Sequence, residues 1–239
     1  MDSGKEGSSR VVWIIGATGG IGSACAREFD SMGYRVAITG RNQGTLDQLL
    51  RDLSDRAIGV PCDITNEHSV AEAYHEIRSR LGRVEILVNA AGVFPGETFT
   101  ETSIETFDAT IETNVVGLFV PCQAVTPSMV EHKSGTIVNV LSIASEKAFL
   151  NGAAYVASKF AALGFTRSLR EEVRKSGVKV IGILPGATNT PAWSEQMRAD
   201  NRDRMMHAED IAVVIRQAVE QPARMMTEEI TIRPIGGDL

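Results

Sequence analysis

The chain of 239 residues carries 24 lysines and arginines against 30 aspartates and glutamates, a formal net charge of −6, with 43% hydrophobic and 23% charged residues. That balance is ordinary for a globular domain and excludes a disordered chain, a collagen and a disulfide-stapled miniprotein. The negative net charge, with no run of Lys or Arg to offset it, repels a polyanion, so nucleic acid is not an expected partner. Cys25, Cys62 and Cys122 are odd in number, far apart and without metal-type spacing. They read as free thiols of a reducing compartment, and no metal site is expected.

Residues 1–10 form a polar, Gly/Ser-rich tail ahead of one domain over 11–239. The first apolar run, Val11–Ile15, is shorter than the core of about 7–15 residues that a signal peptide needs, and nothing approaches the ~18 apolar residues of a membrane span. A soluble, cytoplasmic protein is the expectation. In chain order, runs rich in Val and Ile predict strands at Val11–Ile15, 35–39, Ala57–Pro61, 86–88, 136–141, 178–184 and 229–233. Helical periodicity fills the gaps, at 21–32, 45–53, Glu67–Leu81, 104–131, 153–175 and 209–220. Alternating strands and helices imply βαβ units and an α/β, Rossmann-type, doubly wound parallel sheet of seven strands. The strands are almost continuously apolar, as they must be when helices cover both faces. Pro121 and Pro127 fall inside the 104–131 pattern, where each removes a helix hydrogen bond, so a kink or an earlier stop is expected there.

The first strand runs into Gly16-Ala17-Thr18-Gly19-Gly20-Ile21-Gly22, and a helix follows. Glycines in that order permit a tight turn and let backbone N–H groups approach a pyrophosphate at the positive end of the helix. A plain turn also uses glycine, and a methyl-donor nucleotide fold shares such a loop. The second strand ends in Thr39-Gly40-Arg41, with no acid for a ribose 2′-hydroxyl and with a guanidinium suited to a 2′-phosphate. NADP(H) is therefore favoured, with NAD(H) as the alternative.

Tyr155 and Lys159 are four apart in Tyr155-Val156-Ala157-Ser158-Lys159, which puts them on one helix face a turn apart. A tyrosine has a pKa of about 10, so acid–base work at neutral pH needs a nearby cation, and Lys159 is placed to be one. Ser142 stands at the end of the fifth strand, the edge where open α/β sheets carry their sites.

Together these residues identify the chain as similar to the short-chain dehydrogenase/reductase family in its compact form, over about residues 10–236. The family's glycine motif falls on Gly16, Gly20 and Gly22. Its adenine-contacting acid falls on Asp63, with Ile64 following, and its Asn-Ala-Gly stretch on Asn89, Ala90 and Gly92. Its active-site asparagine matches Asn114, its catalytic residues match Ser142, Tyr155 and Lys159, and its Pro-Gly motif matches Pro185-Gly186, with Thr188 and Thr190 downstream. Apart from Asn114 and Ser142, these residues, with Thr18, Gly19 and Ile21, are expected to hold the cofactor together with Arg41.

The resemblance implies hydride transfer between nicotinamide and a carbonyl or alcohol carbon of a small organic substrate. Tyr155 is then the acid/base, with Lys159 lowering its pKa and binding the ribose, Ser142 holding the reacting oxygen and Asn114 supporting a proton relay. Phe94, Phe149, Asn151 and Trp193 fall at pocket positions. A homodimer or homotetramer is implied, pairing the helices at 104–131 and 153–175 through side chains such as Phe160, Leu163 and Phe165. The chain departs from the family at Ile15, where a threonine is usual, and in a short, charged segment at 191–209 where the substrate lid belongs. A dinucleotide sensor without turnover would ordinarily have lost the Tyr or the Lys, and both are present.

Overall fold

The computed structural model describes residues 10–237 and 239. All but Arg10 of the expected N-terminal tail lies outside them. The strands are β1 (Val11–Ile15), β2 (Arg35–Gly40), β3 (Ala57–Pro61), β4 (Val84–Asn89), β5 (Gly135–Val140), β6 (Val178–Pro185), β7 (Thr188–Asn189), β8 (Met206–His207) and β9 (Glu229–Ile232). Seven form one parallel sheet in the order β3-β2-β1-β4-β5-β6-β9, as the sequence predicted. The order reverses beside β1, and a doubly wound sheet opens its ligand crevice at such a point, beyond the carboxyl ends of the strands.

The helices are α1 (Gly20–Ser31), α2 (Gln43–Leu50), α3 (Glu67–Leu81), α4 (Ile104–Ile111), α5 (Gly117–Glu131), α6 (Ala153–Val173), α7 (Glu195–Asp200) and α8 (Ala208–Val219). Strand alternation splits the core in two. Val12 and Ile14 of β1 pack with Phe29 of α1 and with Ile211 and Ile215 of α8, whereas Val11, Trp13 and Ile15 pack with Ile77 of α3 and Met129 of α5. All five β1 side chains are thus buried, which is why the strand reads as an uninterrupted apolar run.

One expectation needs correction. The helix over 104–131 does not stop at either proline. It is interrupted upstream, where residues Glu112–Val116 form a wide turn, and α5 then continues through Pro121 and Pro127 to Glu131. The backbone adds a residue to one turn of helix just before the first missing amide, and wide turns of this kind are frequent at functional sites. The charged 191–209 segment has elements of its own. It carries α7, and β8 within it pairs with β7 to form a separate two-stranded sheet.

Candidate active site

The glycine loop is built by contacts that leave no room for side chains. Gly16 has a φ of +71°, and a Cβ there would lie 2.6 Å from the Ala91 amide nitrogen. A Cβ at Gly20 would stand 2.6 Å from the Thr190 side chain, and one at Gly22 would run into the Gly16 carbonyl oxygen. No side chain caps α1 and no acid stands in its first turn, so its positive end is presented to an anion. Thr18 and Gly19 are exposed at the loop tip, while Ile21 packs back against the core.

At the end of β2, Thr39 is buried. Its hydroxyl accepts from Trp13 Nε1 at 3.1 Å and donates to the Ile14 carbonyl at 3.2 Å. An acid at position 39 would therefore face the core, and the position beside the loop is Gly40, where a Cβ would lie 3.2 Å from Thr18 Cγ2. Arg41 follows, exposed. Across from it Asp63 is held below its ordinary carboxylate pKa, first by the Thr65 hydroxyl and amide at 2.8 and 3.0 Å and also by the Arg41 charge. Ile64 packs where a Cβ on Gly117, the first residue of α5, would come within 2.7 Å of Ile64 Cδ1.

Beyond β4, the Ala90 amide donates to the Ile15 carbonyl at 3.0 Å. Gly92 lies between two candidate residues, since a Cβ there would be 3.3 Å from Asn114 Oδ1 and 3.5 Å from Lys159 Nζ. Asn114 sits in the wide turn, fully tied. Its Oδ1 accepts the Val93 amide at 2.8 Å, and its Nδ2 donates to the Val93 carbonyl at 3.0 Å and to Ser158 Oγ at 2.9 Å. Ser158 in turn donates to the Tyr155 carbonyl at 2.7 Å. Ser158 and Val93 are partners that the sequence reading did not single out.

Lys159 is buried, donates to the Val140 carbonyl at 3.2 Å and lies 5.6 Å from the centre of the Tyr155 ring. Burial pushes its pKa down from 10.5 to about 8. The Tyr155 phenol is raised above 10 by burial, with a hydrogen bond to Ser142 pulling the other way. The expectation that Lys159 lowers this pKa is therefore not met by the chain's own groups, because desolvation outweighs the pull and the lowering partner is Ser142. Ser142 caps the short turn Ile143–Ser145, its Oγ accepting the Ala144 amide at 3.0 Å.

Aromatic rings wall the space over Tyr155. The Phe94 ring centre is 5.0 Å from that of Tyr155, 6.0 Å from Phe149 and 5.9 Å from Trp193. Trp193 is half-buried among these rings and outside the core clusters, and Asn151 holds a positive φ of 59° nearby.

Three further expected cofactor residues are buried. Asn89 turns its amide into the sheet, donating to Cys122 Sγ at 3.3 Å and to Asn139 Oδ1 at 2.9 Å, and Asn139 continues to Thr166 at 2.9 Å. Pro185 is buried at the end of β6, and Thr188 is buried with its hydroxyl on the Gly186 carbonyl at 3.0 Å. Gly186 and Thr190 lie nearer the surface.

Residues 10–201 match the family model for short chain dehydrogenases. The chain belongs to the short-chain dehydrogenase/reductase family. An uncharacterised oxidoreductase of Staphylococcus haemolyticus is 34% identical over 231 residues, covering 96% of this chain and 99% of its own. Among solved structures, the closed form of a serine dehydrogenase complexed with NADP+ superposes with a TM-score of 0.90 at 27% identity, over 96% of each chain. A metagenomic short-chain oxidoreductase in complex with NADP gives 0.83 at 29% identity, over 95% of this chain and 98% of that one. This short-chain dehydrogenase/reductase is accordingly an oxidoreductase with the family's seven-stranded parallel sheet. Among its described residues, no helix is long and apolar enough to cross a membrane.

Proposed function

We propose that this protein is an NADP(H)-dependent oxidoreductase that moves hydride between nicotinamide and the carbonyl or hydroxyl carbon of a small organic substrate, with Tyr155 as acid/base. The observation that carries the reading is the convergence of Ser142, Tyr155 and Lys159, through the Ser142–Tyr155 hydrogen bond and the Lys159 ammonium 5.6 Å from the centre of the Tyr155 ring.

The residues present fit a dinucleotide. The Cβ-free cradle of Gly16, Gly20 and Gly22 and the uncapped start of α1 suit a pyrophosphate, and Asp63 and Ile64 stand where an adenine is expected. Exposed Arg41, preceded beside Thr18 by Gly40 rather than an acid, suits a 2′-phosphate. The NADP-bound relatives support this preference. When bound, the nicotinamide gives or takes the hydride.

The chain's own residues then handle the proton. In reduction, Tyr155 Oη gives its proton to the substrate oxygen as negative charge builds on it, and in oxidation the phenolate takes it back. Its raised pKa keeps the phenol protonated, the form reduction needs. Ser142 Oγ, bonded to Tyr155, holds the same oxygen in line. Lys159 Nζ sits behind the ring as a partly desolvated cation, and Asn114 fixes the Val93 backbone opposite it. Phe94, Phe149 and Trp193 give the substrate side an apolar wall.

The same reading includes a homodimer or homotetramer. Phe107 of α4, Phe119 of α5 and Phe160 of α6 are more than a third exposed, and the Phe119 ring packs tilted against Phe165 with centres 5.6 Å apart. Leu163, by contrast, is buried under its own helix and is not available to a partner. A panel of aldehydes and ketones monitored by NADPH absorbance tests the function. Turnover with NADPH, slower with NADH, is expected, and absence of NADPH binding would refute it.

A further inference from the structure

Glu97 lies in the connection between β4 and α4, in a narrow crevice it shares with Thr102, Asn151, Gly152 and Tyr155. Its Oε2 is buried, with no hydrogen-bond partner among the described residues. A buried carboxylate oxygen without a donor is costly, and such atoms are few in native proteins, so each calls for a partner. The surroundings indicate which kind. Phe94 folds back over this segment, its ring 3.5 Å from where a Cβ on Gly96 would stand, and the same ring packs against Tyr155 and Trp193. Tyr155 is the one ring that lines the crevice itself, and Phe94 and Trp193 stand behind it, so an aromatic group, whose face attracts cations, shares the crevice with the carboxylate.

We propose that Glu97 is a substrate-recognition residue and that the substrate is an amino alcohol or the matching amino carbonyl compound. Its protonated amine lies on the Glu97 carboxylate while its oxygen faces Tyr155. This rests on the oxidoreductase reading above and adds to it a class of substrate. A neutral substrate leaves the buried oxygen unpaired. An ammonium supplies three donors and a full charge, and the Tyr155 ring favours it further.

The test compares ligands matched in shape, in which a methyl group replaces the ammonium: 1-amino-2-propanol against 2-butanol, and 4-amino-2-butanol against 2-pentanol. Each is titrated calorimetrically into the enzyme with NADP+, for wild type and Glu97→Gln. Wild type is expected to prefer at least one amine by about tenfold or more, the scale of one charged hydrogen bond. In Glu97→Gln that preference should vanish while NADP+ affinity and melting temperature hold. Equal binding of the pairs by wild type, no binding of either, or a preference that survives Glu97→Gln would overturn the assignment. Titrating NADP+ alone into wild type tests the oxidoreductase reading separately, and repeating the ligand comparison without cofactor reads Glu97 on its own.

Discussion

Charge placement at single residues decides the cofactor and the pH response. Arg41 is the one basic side chain at the end of β2, and its loss should weaken NADPH by about 1.5–3 kcal/mol while leaving NADH nearly unchanged. Fluorescence titration of Arg41→Ala with both cofactors checks this, and an unaltered NADPH/NADH ratio would contradict it. Lys159 makes a second expectation calculable. Folded, it loses its proton near pH 8, but unfolded only near 10.5, so between those values the unfolded chain holds the extra proton. Stability then rises with pH across that window, and the contribution is lost as pH falls through 8. Wild type should gain about 3 kcal/mol on Lys159→Met between pH 8 and 10.5, as urea unfolding of the two at several pH values would show. Parallel curves would mean the ammonium is not desolvated.

The residues with this chemistry were legible because their spacing fixes their geometry: Tyr155 and Lys159 must share a helix face wherever the helix lies. The direction of the Asn89 side chain was not legible, for the converse reason. On a strand buried on both faces every position is apolar, so nothing in the sequence tells which way an Asn at its end will turn. The fold turns it to the Leu87 side, onto Cys122 and Asn139.

At the scale of elements, strand and helix order followed from the two periodicities, and the largest misreading came where the backbone leaves both. The wide turn at Glu112–Val116 shows no period of its own in the sequence, and what it places is Asn114, tied to Val93 and Ser158. The 191–209 segment was opaque because two-residue strands and a six-residue helix are too short to show a period. The first crossover, by contrast, is rigidly specified. Gly22→Ala would drive a methyl group into the Gly16 carbonyl, costing about 1–3 kcal/mol by overpacking and displacing the loop. A lower melting temperature together with weakened NADPH binding is expected, and a variant unchanged in both would show that the loop tolerates a side chain.

For the whole molecule, a single sheet draws its strands from residue 11 through 232, which supports the reading of 11–239 as one domain. Phe119 and Phe160 give this domain an apolar outer face on α5 and α6. Light scattering at micromolar concentration should return two or four times the 25.8 kDa chain mass, and Phe160→Glu should lower it. A monomer in wild type would refute the association.

The central claim, that Tyr155 moves the substrate proton, is tested most directly by Tyr155→Phe assayed beside wild type on a turned-over carbonyl compound, with NADPH titrated into both. The change removes only the hydroxyl, so NADPH affinity and fold should hold while turnover falls by about 10²–10⁴. Comparable turnover in the two proteins would contradict the assignment of Tyr155 as the acid.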